Sequence, residues 1–128
     1  IPVFGAGLWD AIWGFVALEE DTETIIGVTF AHKGETPGLG ARITTDEIQA
    51  RYQGKSIFED GQLVSVIMVK GERTSPDKLG PSKVDGMAGA TLTANGVNSM
   101  LSNYFGYYQS YFNKHVKTSS DALTMNNQ

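Results

Sequence analysis

The chain has 128 residues, a net charge of −4, a pI near 5.0 and 41% hydrophobic residues. That is one domain's length with enough apolar content for a core, which excludes a disordered tail. It contains no cysteine, so disulfides, thiolate nucleophiles, iron–sulfur clusters and cysteine-ligated zinc are excluded together. The two histidines, His32 and His115, lie far apart without HxH or HExxH spacing, and no metal site is expected. The ten Lys and Arg are scattered, which argues against a nucleic-acid partner. No apolar run approaches the ~18 residues of a membrane span. The chain starts at Ile1 without an initiator Met and is read as a fragment or mature domain.

In chain order, Leu8 to Leu18 places Trp9, Ala11, Trp13, Phe15 and Ala17 on one face at period two, which predicts a strand carrying large aromatics. Glu19, Glu20 and Asp21 form a charged, solvated turn. Thr24 to Ala31 is a second strand, giving a hairpin. His32 to Gly40, HKGETPGLG, holds too much Gly and Pro for regular structure and predicts a shaped loop; His32 is read as a strand-end residue. Thr44 with Glu47 fits a capping box opening a short helix, DEIQARYQ, that ends at Gly54. Gln62 to Lys70 predicts a strand buried on both faces, and Gly71 to Val84 an irregular excursion. Val97, Met100, Leu101, Tyr104, Phe105, Tyr108 and Phe112 recur at helical spacing, predicting an amphipathic helix of about five turns. The fold class expected is α+β: an antiparallel sheet with one long C-terminal helix and a smaller helix on it, a single domain over 1–116, then a polar, frayed tail over 117–128.

The chemistry-bearing segment is GATLTANGV, Gly89 to Val97. Small residues run into a helix start, glycine permits close backbone approach, and the first helical turn offers unpaired N–H groups with partial positive charge. Such a site suits a phosphate. Thr91 and Thr93 place hydroxyls there, and both also read as ordinary helix-capping residues.

The stretch DGMAGATLT, Asp85 to Thr93, resembles the flavinylation motif of the NqrC/RnfG family of FMN-binding domains. These domains belong to the Na⁺-translocating NADH:quinone oxidoreductase (Nqr) and to the related Rnf complex. The motif is Asp, two loose positions, Ser or Thr, then Gly-Ala-Thr; Ala88 departs from it by lacking the hydroxyl. Three further segments resemble the same family in the same order: GLW at Gly7–Trp9 with the following WGFVAL, HKGETPGLGARI from His32 to Ile43, and VKG at Val69–Gly71. The GLW and VKG segments fit the Nqr branch better than the Rnf one.

The resemblance implies an electron carrier with FMN joined through its phosphate to the Thr91 oxygen, installed by a flavin transferase using FAD. Gly89, Ala90, Leu92 and Thr93 would shape the phosphate and ribityl pocket. Trp9 and Leu39 would give apolar contacts to the isoalloxazine ring, a core role for Trp9 being the other reading. Glu35 and Thr36 would hydrogen-bond the ring's polar edge, or simply solvate the loop. Lys70 would set a cation near the phosphate or the reduced flavin, or serve as an ordinary strand-end lysine. Asp85 would orient the motif for the transferase, or form an Asx turn. Tyr104, Tyr107, Tyr108 and Tyr111 are read as packing, with partner docking as the alternative. The resemblance further implies other subunits of a sodium-exporting membrane redox complex as partners, a membrane anchor in the parent chain, and the outer (periplasmic) face of the bacterial cytoplasmic membrane as location. The domain alone would neither oxidise NADH nor reduce quinone. The competing readings are an Rnf-type or stand-alone FMN domain, and a structural or interaction domain that has lost flavinylation.

Overall fold

Alternating β-branched and aromatic residues in the first quarter of the chain build a three-stranded antiparallel sheet, order β1 (Pro2–Ala6), β2 (Ala11–Leu18), β3 (Ile25–His32). The computed structural model describes the backbone of 1–73 and 76–126 and the side chains of 1–73 and 78–109. The β2–β3 hairpin forms as expected except that β2 begins at Ala11, not Leu8, so Trp9 lies in the bend before it and not on the strand. β1 is an addition: its alternation is short and broken by Gly5. On β2 the buried face is Ile12, Gly14 and Val16, while Phe15 is exposed. The aromatic stripe therefore looks outward, because the smaller residues between the aromatics match the helix layer beneath.

That layer is α3 (Thr91–Asn126), which lies against β1. Its core face presents Ala94, Val97, Leu101 and Phe105, all buried, at helical spacing against Val3, Ile12 and Val16. Gly5 is required by this packing: a β-carbon there would sit 2.8 Å from Met100 Cβ. The helix starts six residues before the first apolar position used to predict it and continues through the stretch expected to fray, since no Gly or Pro follows Gly106. Tyr111 and Phe112 fall outside the described side chains.

In the sequence between β3 and α3 run shorter pieces, several of them packed on β3 or on α3. A 3-10 turn (Gly40–Thr44) leads into α1 (Asp46–Ala50), whose cap is Thr45, not Thr44: the Thr45 hydroxyl accepts the Ile48 N–H at 3.4 Å. The helix is shorter than expected, and Arg51 to Gly54 form turns. The expected strand from Gln62 to Lys70 is two fragments, β5 (Gln62–Leu63), paired with β4 (Phe58–Glu59), and β6 (Ile67–Met68). Ser65 breaks it, with φ at 64°, where the strand would have to turn left-handed. The 71–84 stretch carries a one-turn helix α2 (Pro76–Leu79) and β7 (Lys83–Val84), which pairs with β6 in parallel. Asn98 of α3 ties this layer in, accepting the Met68 N–H at 2.7 Å and donating to the Met68 carbonyl at 2.9 Å.

Tyr52 is fully buried against Phe30, rings edge to face with centroids 5.4 Å apart, and its hydroxyl has no partner among the described residues. A buried unpaired hydroxyl costs on the order of 1–3 kcal/mol. Tyr52→Phe is therefore expected to raise the urea midpoint by a stabilisation of about 1 kcal/mol. A fall on equilibrium unfolding would mean that the hydroxyl has a trapped partner.

Candidate functional site

The first intrahelical bond of α3 runs from Ala94 N–H to the Ala90 carbonyl at 3.0 Å, so Ala90 is the cap and Thr91 the first helical residue. Thr91 thus opens the helix and does not cap it. The N–H groups of Thr91, Leu92 and Thr93 precede that bond and have no place in the helical ladder. No acidic residue stands in the first turn, so the helix's partial positive charge is not offset from within it. Thr91 is half-buried, and its hydroxyl forms no hydrogen bond among the described residues. Gly89 turns the chain into the helix with φ at 71°, a conformation glycine adopts without strain.

Thr93, two residues on, is fully engaged. It is buried and donates its hydroxyl to Glu35 at 2.9 Å. Glu35 is itself only 4% exposed, and the same carboxylate accepts the N–H of Leu8 at 2.7 Å and of Trp9 at 3.0 Å. Its own N–H is fixed by His32 Nδ1 at 3.0 Å. One carboxylate thereby joins the GLW segment, the ETPGLG loop and the start of α3. Burial alone would push this carboxyl up, but the Leu8 and Trp9 N–H groups with the Thr93 hydroxyl outweigh it and hold it below the usual range. The family resemblance would put Glu35 at the polar edge of a flavin ring; the structure instead turns its side chain inward, where three donors of the protein occupy it. Its contribution to a site runs through the loops it holds. Gly7 and Gly40 make this junction possible, since a β-carbon on either would overlap Glu35 or the Thr93 hydroxyl.

The motif loop before Thr91 is held from outside. Arg51 donates to the Gly86 carbonyl at 2.9 Å, and Glu72 accepts the Ala88 N–H at 2.9 Å. Glu72 lies between Arg42, at 2.5 and 2.6 Å, and Arg51, at 2.7 Å. Hydrogen bonds from the Arg42 guanidinium first, then the Ala88 N–H and Arg51, hold the Glu72 carboxyl far below its ordinary range. The Ala88 methyl is exposed, so the loop's shape does not depend on a side-chain hydroxyl there. Asp85 accepts the N–H of the next residue, Gly86, at 3.0 Å, one position short of the partner an Asx turn uses. The VKG segment packs on Gly86, because a β-carbon there would overlap the Val69 and Gly71 carbonyls. Lys70 therefore sits beside the loop, exposed.

Around the helix start lie four large apolar side chains open to solvent: Trp9 at 69% exposure, Leu92 at 59%, Leu8 at 45% and Leu39 at 41%. Leu39 reaches the loop itself, its Cδ2 lying 3.2 Å from a β-carbon position on Gly89. Thr36 is exposed, and its carbonyl accepts the N–H of Leu39 and Ala41, both at 3.1 Å, which shapes the loop tip. The structure thus brings several sequence-predicted residues to one end of α3: Gly89, Ala90, Leu92 and Thr93 stand beside Thr91, Glu35 and the Trp9 backbone are tied to Thr93, and Leu39 lies against Gly89. Asp85 is in the loop before it, Lys70 beside that loop, and Thr36 at the base of the turn that bears Leu39. A groove of about 450 Å³ leads away from Leu92 between Ala6 and Asn103.

The chain matches the FMN-binding domain over residues 7–105. It belongs to the FMN-binding domain family. It is 40% identical over 106 residues to the C-subunit of the Na⁺-translocating NADH-quinone reductase of Vibrio anguillarum, covering 83% of this chain and 40% of that one. The corresponding protein of Yersinia pestis is 39% identical over the same length, and the match covers 39% of it. The chain thus spans about two fifths of the curated relatives it matches. Among solved structures, the C-subunit of this reductase from Parabacteroides distasonis superposes with a TM-score of 0.78 at 40% identity, over 87% of this chain and 54% of that one. The Shewanella oneidensis NqrC structure gives 0.78 at 38% identity, over 89% of this chain and 52% of that one.

Within this FMN-binding domain, sequence reasoning missed Arg42, Arg51 and Glu72. Glu72 is 30 residues from Arg42, 21 from Arg51 and 16 from Ala88, so no local pattern joins them. The signal available was weak: two arginines flanking a one-turn helix in an acidic chain.

Proposed function

We propose that the domain carries FMN on the Thr91 side-chain oxygen and relays electrons within a sodium-translocating NADH:quinone reductase on the outer face of the cytoplasmic membrane. The observation that supports this most directly is the Thr91 hydroxyl itself: unbonded among the described residues, at the first residue of α3, beside N–H groups outside the helical ladder, with the exposed Leu92 next to it and Leu39 against Gly89. The residues present fit FMN. A phosphodiester joining FMN to Thr91 would meet the N–H groups of the first turn and the helix's positive end. Trp9, Leu8, Leu39 and Leu92 offer the apolar area that a flat ring needs, area that in water is otherwise unfavourable. Bound FMN supplies one- and two-electron transfer. The protein's part is to hold the ring's support in place: Glu35 locks the two loops that bear Trp9 and Leu39 onto α3.

Attachment would proceed by transfer from FAD in a flavin transferase. The Thr91 oxygen bonds to the FMN phosphorus, the pyrophosphate bond breaks, and AMP leaves with the hydroxyl proton, leaving no net oxidation or reduction. Other subunits of the complex would donate and accept the electrons, with the parent chain anchored in the membrane. The matches to NqrC proteins favour this reductase over an Rnf-type carrier.

The test is the intact mass of the denatured protein after co-expression with a flavin transferase. A gain of one FMN less one water supports the reading. An unmodified mass in folded protein with active transferase overturns it.

A further inference from the structure

The loop from Asp85 to Ala90 must present Thr91 to a transferase, yet it makes little structure of its own. Inside it are one turn bond, from the Ala90 N–H to the Met87 carbonyl at 3.1 Å, and the Asp85 side-chain bond to Gly86. Anchors reach it from the end of α1 and from the segment after β6: Arg51 donates to the Asp85 and Gly86 carbonyls, and Glu72 accepts the Ala88 N–H. Glu72 is well placed for this. Its side chain is 17% exposed, both oxygens are gripped by arginines that are 21% and 19% exposed, and the Arg42 contact is bidentate. Such a fork fixes a carboxylate in position and in plane. One of those same oxygens then takes the N–H of Ala88, three residues before Thr91.

We infer that Glu72, clamped by Arg42 and Arg51, is a positioning residue for flavin attachment: it sets the loop that presents the Thr91 hydroxyl without itself touching flavin or transferase. This rests on Thr91 being the attachment site. A clamp matters here because transfer between two bound groups depends steeply on approach geometry, a displacement near 1 Å costing on the order of a hundredfold in rate.

Glu47 supplies the control. It pairs with the same two arginines, at 3.4 and 3.1 Å, but its side chain is 65% exposed and no bond to the loop is formed. Glu72→Gln keeps an oxygen while weakening the arginine fork; Glu47→Gln removes a charge from the same cluster and leaves the loop alone. The protein is purified without flavin and supplied with FAD and transferase, and attachment is followed by in-gel fluorescence and intact mass at saturating acceptor. Exchange of the Ala88 amide proton is read by NMR on the flavin-free protein. Glu72→Gln is expected to slow attachment about tenfold or more with faster Ala88 exchange, and Glu47→Gln to match the wild type in both. Wild-type rate and unchanged Ala88 exchange in folded Glu72→Gln would overturn the clamp. If Glu72→Gln does not fold, Arg42→Gln, which removes the two-pronged contact that orients Glu72 and leaves Arg51 on the Gly86 carbonyl, is read the same way. A wild type that takes no flavin overturns the Thr91 reading and this inference with it.

Discussion

Thr91→Ala is expected to abolish covalent FMN completely while leaving the fold in place. The Thr91 hydroxyl has no hydrogen-bond partner among the described residues, and the side chain is half-buried at the first helical position. Alanine is the best helix former and fits that position, so the stability change should stay within about 0.5 kcal/mol. The mass of the denatured variant, made beside the transferase, should equal the unmodified chain. Thr91→Ser keeps the hydroxyl on the same carbon and is expected to retain some attachment. Thr93→Ala separates the two threonines: it loses the bond to Glu35 but keeps the acceptor, so it should still gain FMN at lower thermal stability. Full flavin on Thr91→Ala would move the bond elsewhere and remove the basis of the proposed function.

Glu35→Gln carries the second large effect, and it is on stability. The carboxylate accepts three donors at 2.7, 3.0 and 2.9 Å in a site 4% exposed. An amide keeps one acceptor and sets an N–H₂ group against a backbone N–H. Hydrogen bonds to a charged group contribute about 1.5–3 kcal/mol each, and stranded donors add to the loss, so a destabilisation of about 3 kcal/mol is expected. The pH dependence follows from the carboxyl being held below its ordinary value. The stability it contributes is fully present above the unfolded-state pKa of about 4.3 and lost as pH falls through the lower folded-state value. Glu72 titrates in the same direction, held down by Arg42, the Ala88 N–H and Arg51, so acid sensitivity will not vanish in the variant. Urea unfolding at neutral pH and at progressively lower pH separates the terms: the gap between wild type and Glu35→Gln should be wide at the first and narrow as the carboxyl takes up its proton. An equal gap throughout would show that Glu35 acts by packing and not by charge.

The two halves of the site differ in how far they could be read from residues alone. Thr91, Gly89 and the helix start are local: small residues, a hydroxyl and a following apolar period occupy adjacent positions. The ETPGLG loop is legible as a loop for the same reason. What the loop does with Glu35 is not local, since its donors lie 26, 27 and 58 residues away. A glutamate in a Gly-rich stretch reads as solvated until Thr93 and the GLW turn are seen around it. The Arg42–Glu72–Arg51 clamp belongs to the same class. The strand expected from Gln62 to Lys70 failed because a long apolar run speaks for burial and not for continuity, and a single left-handed residue at Ser65 ends the ladder.

By itself the sequence determined the period-two hairpin, the glycine-rich loop, the apolar face of α3 and the placement of a hydroxyl at that helix's start, because each depends on residues within a turn or two of one another. Only the tertiary structure decided which face of β2 is buried, that Glu35 turns inward, and that Glu72 and Arg51 hold the loop before Thr91. Those outcomes depend on desolvated carboxylates finding donors from remote segments, and the partners become neighbours only once the sheet and α3 have closed on each other.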